Sequence, residues 1–594
     1  MNKVYLGISV SHGASASLMV NGTITAAVQE ERFNKIKNFI GYPKKSIEFC
    51  LAYAKKNKLN INEAGFSSIK NIVFPFKYSL DNCFSIKDWM DYYGQDFYSK
   101  NRKINKVKSI FQKVKKKKKI DVYLNYNKIK SKDYFNNYSI FRDLQKSYLI
   151  KQSKNNIKKI SFIDHHTCHA FYAAKASNIN KPRYAVLTID SEGDGFNQSL
   201  WIYQNKEFKK IYENSQCDLA RIYRFVTLIL KMKPNEHEYK VMGLAPYSKH
   251  LYYIKCYNEV FKDLLKVKDC KIVHKKRPKD LYNYLKNNLA KYRFDNIAGA
   301  VQYLVEELTF KLVKQISKKY KVNDFAISGG VSMNIKMNGN LAKMREVKSL
   351  FVPPCGSDDS LSIGACYYLN KQNKNEQYLK NIYLGQDLYE SKLNFKIIRK
   401  ITKNKENIKI YPNYNSKKVA KLINQGEIIA LAQGKEEFGA RALGNRSIIA
   451  NPNYEGVVEK INEQIKNRDF WMPFALTILH EKHKFFIKNK KDINSDFMTI
   501  GFDTCSKNYK KIKNGTHQYD KTVRPQILRK GFNNNYYKLI KEFYKISKIP
   551  AVLNTSLNLH GSPISSNLHD VLNTFFKSDL KYLYLDGKTL IKKS

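Results

Sequence analysis

Two histidines four residues apart lie in the part of the chain with the clearest chemistry. His165 and His169 belong to the run Asp164-His165-His166-Thr167-Cys168-His169-Ala170. If this run begins a helix, both rings lie on one face and can bind one ion. Asp190 follows a strand-like segment, where a carboxylate is well placed to complete a metal site. The spacing leaves a second interpretation open, in which the histidines are helix caps or satisfied core residues.

A further carboxylate and a glycine pair follow two later strand-like segments. Asp358 comes after residues 349–352 and is a candidate fourth ligand. Gly329 and Gly330 come directly after residues 324–327, where glycine lets backbone N–H groups approach a phosphate or a ribose. The same pair serves equally well in a plain tight turn, so both interpretations stay open.

Arginine is rare in this chain, and its positions are therefore informative. The sequence has 15 arginines among its 106 basic residues, and four of them lie in segments marked by glycine or proline: Arg441, Arg446, Arg468 and Arg524. A planar guanidinium binds phosphate or carboxylate with paired hydrogen bonds that lysine cannot reproduce. Lys466 adds a second cation next to Arg468, and residues 554–558 form a small polar strand end. These groups indicate an anion site, with structural salt bridging as the alternative.

The elements that must position these residues predict an α/β fold. Strands are predicted at residues 4–10, 16–20, 23–29, 160–163, 184–189, 324–327, 349–352 and 427–432, and helices at 170–176 and 419–424. Asn21-Gly22 predicts a two-residue hairpin. His12 lies in the turn after the first strand, where a hairpin does not need an imidazole. The segment 236–247 is predicted to be a loop that lines a site.

Length and composition predict two or three domains, with a boundary near residue 390. No apolar run approaches the ~18 residues of a membrane helix, and Ser9, Ser11 and His12 interrupt the N-terminal apolar run. We therefore expect a cytoplasmic protein without membrane insertion. The nine cysteines include no Cys-x-x-Cys pair, which predicts reduced thiols rather than a zinc ribbon or a disulfide scaffold.

The formal net charge of +55 would fit a nucleic-acid binder. However, nucleic-acid readers rely on arginine, whereas this chain has 91 lysines. We therefore expect a solvated lysine-rich surface and no specific nucleic-acid partner. The aromatic and basic segment 85–155, with its lysine run at 113–119, is predicted to be a solvated insertion.

Several blocks, taken in order, resemble the O-carbamoyltransferases of nodulation-factor, cephamycin and tobramycin biosynthesis. They span nearly the whole chain outside residues 85–155, and one departure is Gly13, where the family usually has Asp. The blocks are Gly7-Ile8 through His12 to Gly22, Gln29-Glu30-Glu31-Arg32-Phe33, His165 to Ala170, Lys240 to Tyr247, Ser328-Gly329-Gly330-Val331, Glu437-Phe438-Gly439 with Arg441-Ala442-Leu443-Gly444, Pro473-Phe474-Ala475 and Asn554-Thr555-Ser556.

The resemblance implies an actin-like (sugar-kinase/Hsp70-like) two-lobed domain at residues 1–390, followed by a YrdC-like α/β domain at residues 391–594. It implies that the second domain converts carbamoyl phosphate and ATP, with Mg²⁺, to carbamoyl-adenylate. The first domain would then transfer the carbamoyl group to a hydroxyl of a sugar, a glycan precursor or another small molecule. A homodimer is compatible with the resemblance. The alternatives are a tRNA threonylcarbamoyl-type transferase and a non-catalytic scaffold that binds anions or nucleic acid.

The resemblance also implies a role for each candidate residue. His165, His169, Asp190 and Asp358 match the family's metal ligands, with Fe²⁺ favoured and Mn²⁺ or Zn²⁺ also suited to two nitrogens and two carboxylates. His12 would be the general base for the acceptor hydroxyl, because a neutral imidazole suits proton abstraction near pH 7. In the second domain Lys466 and Arg468 would be catalytic. The expected nucleotide- and substrate-binding residues are Lys240, Gly329, Gly330, Asn334, Arg441, Arg446, Arg524, Asn554, Ser556 and Asn558.

Overall fold

The computed structural model describes residues 2–70, 84–94, 138–205, 207–372, 378–389, 398 and 408–593. The chain divides into two compact units. The first contains Met1–Phe33 and Asn38–Leu379, and the second contains Asn34–Lys37 and Lys380–Ser594. The predicted boundary near residue 390 lies among residues outside the described part. Within the described ranges, helices and mixed sheets alternate, which confirms the α/β class.

The first unit contains twelve strands among its described residues. They are Val4–Ser9 (β1), Ser15–Val20 (β2), Thr23–Gln29 (β3), Glu63–Phe66 (β4), Ile160–Phe162 (β5), Arg183–Gly193 (β6), Phe196–Gln204 (β7), Glu207–Asn214 (β8), Leu265–Lys268 (β9), Lys271–His274 (β10), Asp324–Ser328 (β11) and Ser349–Phe351 (β12). The helices that begin in this unit are Glu31–Asn34 (α1), Lys44–Lys56 (α2), Ile86–Tyr93 (α3), Tyr138–Gln152 (α4), His165–Ala176 (α5), Leu219–Ile229 (α6), Glu238–Leu244 (α7), His250–Cys256 (α8), Leu281–Leu289 (α9), Phe294–Tyr320 (α10), Ile335–Lys343 (α11) and Leu361–Leu369 (α12).

Two five-stranded sheets of the first unit share one topology. One sheet has the order β3-β2-β1-β4-β5 and the other has the order β8-β7-β6-β11-β12. In each, three strands form an antiparallel meander, a fourth strand pairs in parallel with the first strand of the meander, and a fifth pairs in parallel with the fourth. Parallel strands direct their carboxyl ends to one edge of a sheet, where loops can present side chains to a ligand. Asp190 lies near the carboxyl end of β6, Gly329 directly follows β11, and Asp358 lies in the segment after β12.

The core of the first sheet explains why these segments form strands and helices. Val4, Leu6 and Ile8 alternate along β1 and are fully buried, which is the period-two spacing of side chains that share one face of a strand. Asn21 and Gly22 have φ of 49° and 84°, so the hairpin is the tight turn that this dipeptide predicts. The observed bounds also confirm the predicted strands and helices elsewhere in the chain, with shifts of a few residues at some ends.

The second unit is built on an eight-stranded mixed sheet with the order β14-β24-β23-β15-β17-β22-β18-β21. Its described strands are Tyr383–Asp387 (β13), Ile408–Tyr411 (β14), Ile429–Ala432 (β15), Lys435–Glu437 (β16), Arg446–Ala450 (β17), Ala475–Leu479 (β18), Phe502–Asp503 (β19), Thr522–Val523 (β20), Pro525–Leu528 (β21), Ala551–Ser556 (β22), Tyr582–Leu585 (β23) and Thr589–Lys593 (β24). Its helices are Ser416–Asn424 (α13), Val457–Ile461 (α14), Asn534–Ser547 (α15) and Leu568–Phe576 (α16).

Two expectations need correction. The segment 236–247 is not a loop, because residues 238–244 form α7 and bury Val241 and Leu244. The segment 85–155 is not a solvated insertion throughout, because α4 buries Phe141 and Leu149 in the core of the first sheet. The lysine run at 113–119 lies outside the described residues. Within the described part of the chain, no helix combines the length and the apolar content that crossing a bilayer requires.

Candidate functional site

The two predicted histidines lie one turn apart at the start of α5. Asp164 caps this helix, because its side chain accepts a hydrogen bond from the Thr167 N–H at 2.7 Å. The rings of His165 and His169 are buried and their centroids are 4.8 Å apart. His166 turns away and its Nδ1 lies 2.7 Å from Thr188 Oγ1. Burial and the two neighbouring imidazoles lower the pKa of His166 to about 3, so this ring is neutral.

The two predicted carboxylates face both rings. Asp190 Oδ2 lies 3.3 Å from His165 Nε2 and 3.2 Å from His169 Nε2. Asp358 Oδ1 lies 3.6 Å and 3.4 Å from the same two atoms. Ligand atoms of all four side chains lie within 4.8 Å of one another, and all four residues are buried. The structure therefore brings the four candidate ligands together.

Local backbone features aim these carboxylates. The regular pairing of β6 with β7 ends at Ile189 and resumes at Gly193, and such irregularities commonly redirect a side chain near a site. Asp358 precedes α12, which packs against α5 so closely that a Cβ on Gly364 would lie 2.0 Å from Cys168 O. Glycine at this position lets the two helices approach, and the approach brings Asp358 to the histidines.

The charges of the cluster fit a divalent cation. Burial lowers the pKa of His165, but the Asp358 and Asp190 carboxylates outweigh burial and raise it to about 10. The hydrogen bonds to the two rings hold the pKa of Asp190 well below its usual range, although burial opposes them. One divalent cation would supply two positive charges opposite the two carboxylates while both rings are neutral, which is the form in which imidazole binds a metal.

The distances of the cluster fit the same ion. Metal–ligand bonds of ~2.1 Å place adjacent ligand atoms about 3.0 Å apart in an octahedral site and about 3.4 Å apart in a tetrahedral one. The four imidazole–carboxylate distances of 3.2 to 3.6 Å match these spacings. Hydrogen bonds also orient the ligands, since Ser11 Oγ donates to Asp358 Oδ2 at 2.5 Å and Ser328 Oγ lies 3.3 Å from His169 Nδ1.

The other predicted residues of the first unit have different surroundings. His12 follows Ser11 in the β1–β2 turn, and its buried Nδ1 has no hydrogen-bond partner among the described residues. A Cβ on Gly329 would lie 2.3 Å from Ile189 O, so the glycine pair packs directly on the strand that carries Asp190. Asn334 caps α11 and exchanges hydrogen bonds with Gln302. The side chain of Lys240 is half-buried on α7.

The second unit brings Lys466, Ser556 and Asn558 together. Lys466 Nζ donates to Asn558 Oδ1 at 2.8 Å, to Asn558 O at 3.2 Å and to Ser556 Oγ at 3.3 Å. These acceptors are neutral, and no carboxylate pairs with Lys466 in the described part of the chain. Burial lowers the pKa of Lys466 well below its usual range, and the charges of Arg468 and Lys37 lower it further. Because these surroundings disfavour the charged form of Lys466, an anionic ligand that restores the charge would bind there favourably.

Arg468 contacts the same carboxyl end of β22. Its Nη2 donates to Thr555 Oγ1 at 2.8 Å, and its guanidinium lies 4.7 Å from the centroid of the Phe474 ring. Asn467 adopts φ of 43° between the two cations and ends the helical turn that carries Lys466. Asn467 thus ends the helix, and the cations on either side of it, Lys466 and Arg468, both reach the carboxyl end of β22.

Two predicted anion-binding residues instead have structural contacts. Arg446 is fully buried, and its guanidinium donates to the carbonyls of Ser566, Gln433, Asn445 and Gly434. Asn554 is also buried, and its amide donates to Ala442 O and Thr477 Oγ1. Arg441 and Arg524 are half-buried, in the β16–β17 loop and between β20 and β21.

Sequence reasoning missed the groups that orient these residues. Ser11 and Thr555 each contact a candidate site residue through a hydroxyl. Ser11 lies next to His12 and Thr555 lies next to Ser556, so adjacency to a candidate was the available signal. Hydroxyl residues are so common in turns and strands that this signal alone could not have identified Ser11 and Thr555 before the fold was known.

Comparison with known proteins identifies related chains over almost the whole length. The Carbamoyltransferase N-terminus family model matches residues 4–367 and the Carbamoyltransferase C-terminus model matches residues 420–593. The uncharacterized protein MJ1051 of Methanocaldococcus jannaschii is 30% identical over 99% of both chains. Nodulation protein NolNO of Sinorhizobium fredii is 26% identical over 100% of this chain and 80% of its own.

A solved structure gives a much weaker match. The crystal structure of full-length HypF in its phosphate- and nucleotide-bound form overlaps 63% of this chain and 56% of its own, at 10% identity and a TM-score of 0.31. That overlap is too low to assign a fold. The family models carry the assignment, since together they account for both units. The chain belongs to the carbamoyltransferase family.

Proposed function

We propose that this chain is an ATP-dependent O-carbamoyltransferase with one site in each unit. The second unit activates the carbamoyl group as carbamoyl-adenylate, and the first unit transfers it to a hydroxyl of a sugar or glycan precursor. The duplicated sheet topology of the first unit supports the two-lobed actin-like fold that the resemblance implies. A YrdC-like second unit is part of the same proposal.

The observation that carries ATP-dependent activation is the environment of Lys466. A buried ammonium beside a second cation is unfavourable unless an anion joins it. Carbamoyl phosphate and ATP are both polyanions, and Arg468 can bind a phosphate with two parallel hydrogen bonds. Ser556 and Asn558 contact Lys466 and would hydrogen-bond the phosphate or carbamoyl oxygens. We leave Arg446 and Asn554 out of this set, because their contacts are structural.

Activation takes two successive reactions in the second unit. Water releases phosphate from carbamoyl phosphate and leaves carbamate. A carbamate oxygen then bonds to the α-phosphorus of ATP, the bond from that phosphorus to pyrophosphate breaks, and carbamoyl-adenylate forms. Lys466 and Arg468 would hold the two anions in line and offset the charge that develops on the departing pyrophosphate.

The transfer step belongs to the first unit. The acceptor oxygen bonds to the carbamoyl carbon while the bond from that carbon to AMP breaks, and His12 would accept the hydroxyl proton. The buried Nδ1 of His12 has no hydrogen-bond partner in the described part of the chain, which supports this role because no internal contact there competes for that nitrogen. His165, His169, Asp190 and Asp358 would hold a divalent cation, Fe²⁺ by family precedent, which supplies Lewis-acid polarisation of the transferring group.

Pyrophosphate exchange and carbamoyl transfer test the two sites separately. The purified chain is given ATP, Mg²⁺ and carbamoyl phosphate, and exchange of labelled pyrophosphate into ATP is measured beside carbamoylation of candidate sugars. Arg468→Ala should lose both activities, whereas His12→Asn should keep exchange and lose transfer. Arg529→Ala and His250→Asn are matched controls, since they remove the same residue types elsewhere in the same units.

Two results would contradict the proposal. Absence of exchange in the wild-type chain would remove carbamoyl-adenylate formation. Equal loss of both activities in His12→Asn would remove the division of labour between the units. Loss of the threonylcarbamoyl base from tRNA in a deletion strain would instead favour the tRNA-modifying alternative.

A further inference from the structure

Asp194, in the turn between β6 and β7, contacts the start of α5. The residue is 3% exposed, and its carboxylate accepts four hydrogen bonds. Oδ2 accepts from the His165 N–H at 2.8 Å and the Ile69 N–H at 3.0 Å. Oδ1 accepts from Ser68 Oγ at 2.7 Å and the Lys70 N–H at 2.8 Å.

These four hydrogen bonds decide whether the Asp194 carboxylate can bind a metal ion. A carboxylate offers about four lone-pair positions, so the carboxylate of Asp194 is fully used by protein donors. It is also absent from the cluster of four residues whose ligand atoms converge. Asp194 therefore does not serve as a metal ligand, and its contact with the site runs through the backbone of His165.

The neighbouring residue Gly193 contacts the other side of His165. A Cβ on Gly193 would lie 2.1 Å from Cδ2 and 2.6 Å from Nε2 of the His165 ring. Any side chain at position 193 would therefore occupy the space that the imidazole needs. The β6–β7 turn thus contacts His165 at both its backbone nitrogen and its ring.

We propose that Gly193 and Asp194 are positioning residues that set the His165 ring for metal binding. This inference rests on the proposed metal site of the first unit. Asp194 accepts the backbone N–H of His165, the first residue of α5, and its negative charge stabilises the N-terminus of that helix. Because Gly193 has no side chain, the His165 ring can lie next to it. Asp194 itself has φ of 54°, a left-handed conformation that non-glycine residues adopt where surrounding contacts hold it.

The same carboxylate connects the metal ligand to a second chain segment. Residues 68–70 follow β4, and three of their donors hold Asp194. Ser68 is not adjacent in sequence to any candidate ligand, yet it contributes one of the four bonds. Its hydroxyl therefore offers a mild perturbation of the positioning contact that leaves the backbone donors in place.

Metal binding by the full-length chain tests the proposal. The chain is stripped with EDTA and titrated calorimetrically with Mn²⁺, and the visible spectrum of the Co²⁺-loaded chain reports coordination geometry. Asp194→Asn removes the charge and part of the accepting capacity at nearly constant shape. Gly193→Ala displaces the ring directly. Glu192→Gln is the matched control, because Glu192 is exposed near the end of β6 and pairs with Arg221.

The expected result is a rise in the Mn²⁺ Kd of ~10- to 100-fold for Asp194→Asn, the range typical when a group that orients a ligand is lost. Gly193→Ala should weaken binding at least as much, Ser68→Ala should weaken it less, and both should change the Co²⁺ spectrum. Glu192→Gln should bind as the wild type does. Thermal melting of the metal-free variants separates this effect from loss of fold.

The outcomes are distinct. Wild-type affinity and spectrum in Asp194→Asn overturn the positioning role while leaving the metal site intact. A wild-type chain that binds no Mn²⁺ and gives no Co²⁺ spectrum overturns the metal site and this inference with it. If Asp194→Asn does not fold, Ser68→Ala decides, and unchanged Mn²⁺ affinity in that variant overturns the inference.

Discussion

Arg446→Lys tests whether the two arginines of one motif have different roles. Arg441 and Arg446 lie five residues apart, and both fit a phosphate site from the sequence. In the structure Arg446 is 0% exposed, and four of its N–H groups reach backbone carbonyls at 2.6 to 3.0 Å. Lysine keeps the positive charge but has one ammonium in place of the planar fork. The substitution should therefore reduce stability rather than anion binding.

The magnitude follows from the lost hydrogen bonds. An ammonium reaches at most two of the four carbonyls from one position, so at least two charge-assisted bonds disappear. Each such bond contributes about 1.5 to 3 kcal/mol, which predicts a loss of about 3 to 6 kcal/mol in the free energy of unfolding. For a domain of this size, 1 kcal/mol changes Tm by ~2 to 4 °C. The melting transition of the second unit should thus fall by ~6 to 24 °C.

Calorimetry and hydrogen exchange measure this effect in the full chain. Calorimetry gives the melting transition, and peptides covering residues 429–450 should lose exchange protection locally. Arg441→Lys is the matched control, because it makes the same substitution five residues earlier, in the β16–β17 loop, at a half-buried side chain. It should melt as the wild type does and lose pyrophosphate exchange. At temperatures below its lowered Tm, the Arg446→Lys chain should keep pyrophosphate exchange.

The reverse pattern would refute this reasoning. If Arg446→Lys melts as the wild type does and loses pyrophosphate exchange, then Arg446 contacts the substrate in solution. The four carbonyl contacts would then not define its role.

Three further predictions concern the metal, pH and the turn that carries His12. Dialysis against EDTA and return of Mg²⁺ alone should abolish transfer and preserve pyrophosphate exchange, and parallel loss of both would contradict separate sites. Burial raises the pKa of Glu238 to about 7 from an ordinary 4.5, with Glu236 adding to the rise and Arg224 opposing it, so the folded chain retains a proton that the unfolded chain releases. The free energy of unfolding should therefore fall by up to ~3 kcal/mol between pH 4.5 and 7. Urea titrations at pH 5 and 7.5 measure this fall, which should be smaller in Glu238→Gln than in the wild type. An equal fall in the two chains would exclude Glu238 as the cause. Gly13→Asp should destabilise the chain by about 1 to 3 kcal/mol, because Gly13 has φ of +66° and its Cβ would lie 2.7 Å from Asp359 Cβ; an unchanged urea midpoint would contradict this.

Local patterns explain what could be predicted from the sequence. The hairpin at Asn21-Gly22 and the four-residue spacing of His165 and His169 depend on neighbouring residues, and both lie where the pattern predicts. Strands with buried alternating residues were predictable for the same reason. The bulge that aims Asp190 was not, because it depends on how β6 pairs with β7.

Burial against distant residues explains the errors. Residues 138–152 look like part of a basic aromatic insertion, but Phe141 and Leu149 pack into a core formed by strands far away in sequence. Residues 238–244 look like a polar loop, but Val241 and Leu244 bury one side of a helix. A hydrophobic residue in a lysine-rich context has no local signal that names its packing partner.

The sequence by itself determined which atoms are available: two imidazoles one helical turn apart, carboxylates after strands, and a few arginines kept in a lysine-rich chain. Only the tertiary structure decided which of them meet. Close packing at Gly364 brings Asp358 to the histidines, whereas four backbone carbonyls separate the role of Arg446 from that of Arg441. The physical reason is that side-chain chemistry is fixed residue by residue, while distance and burial depend on contacts between segments remote in sequence.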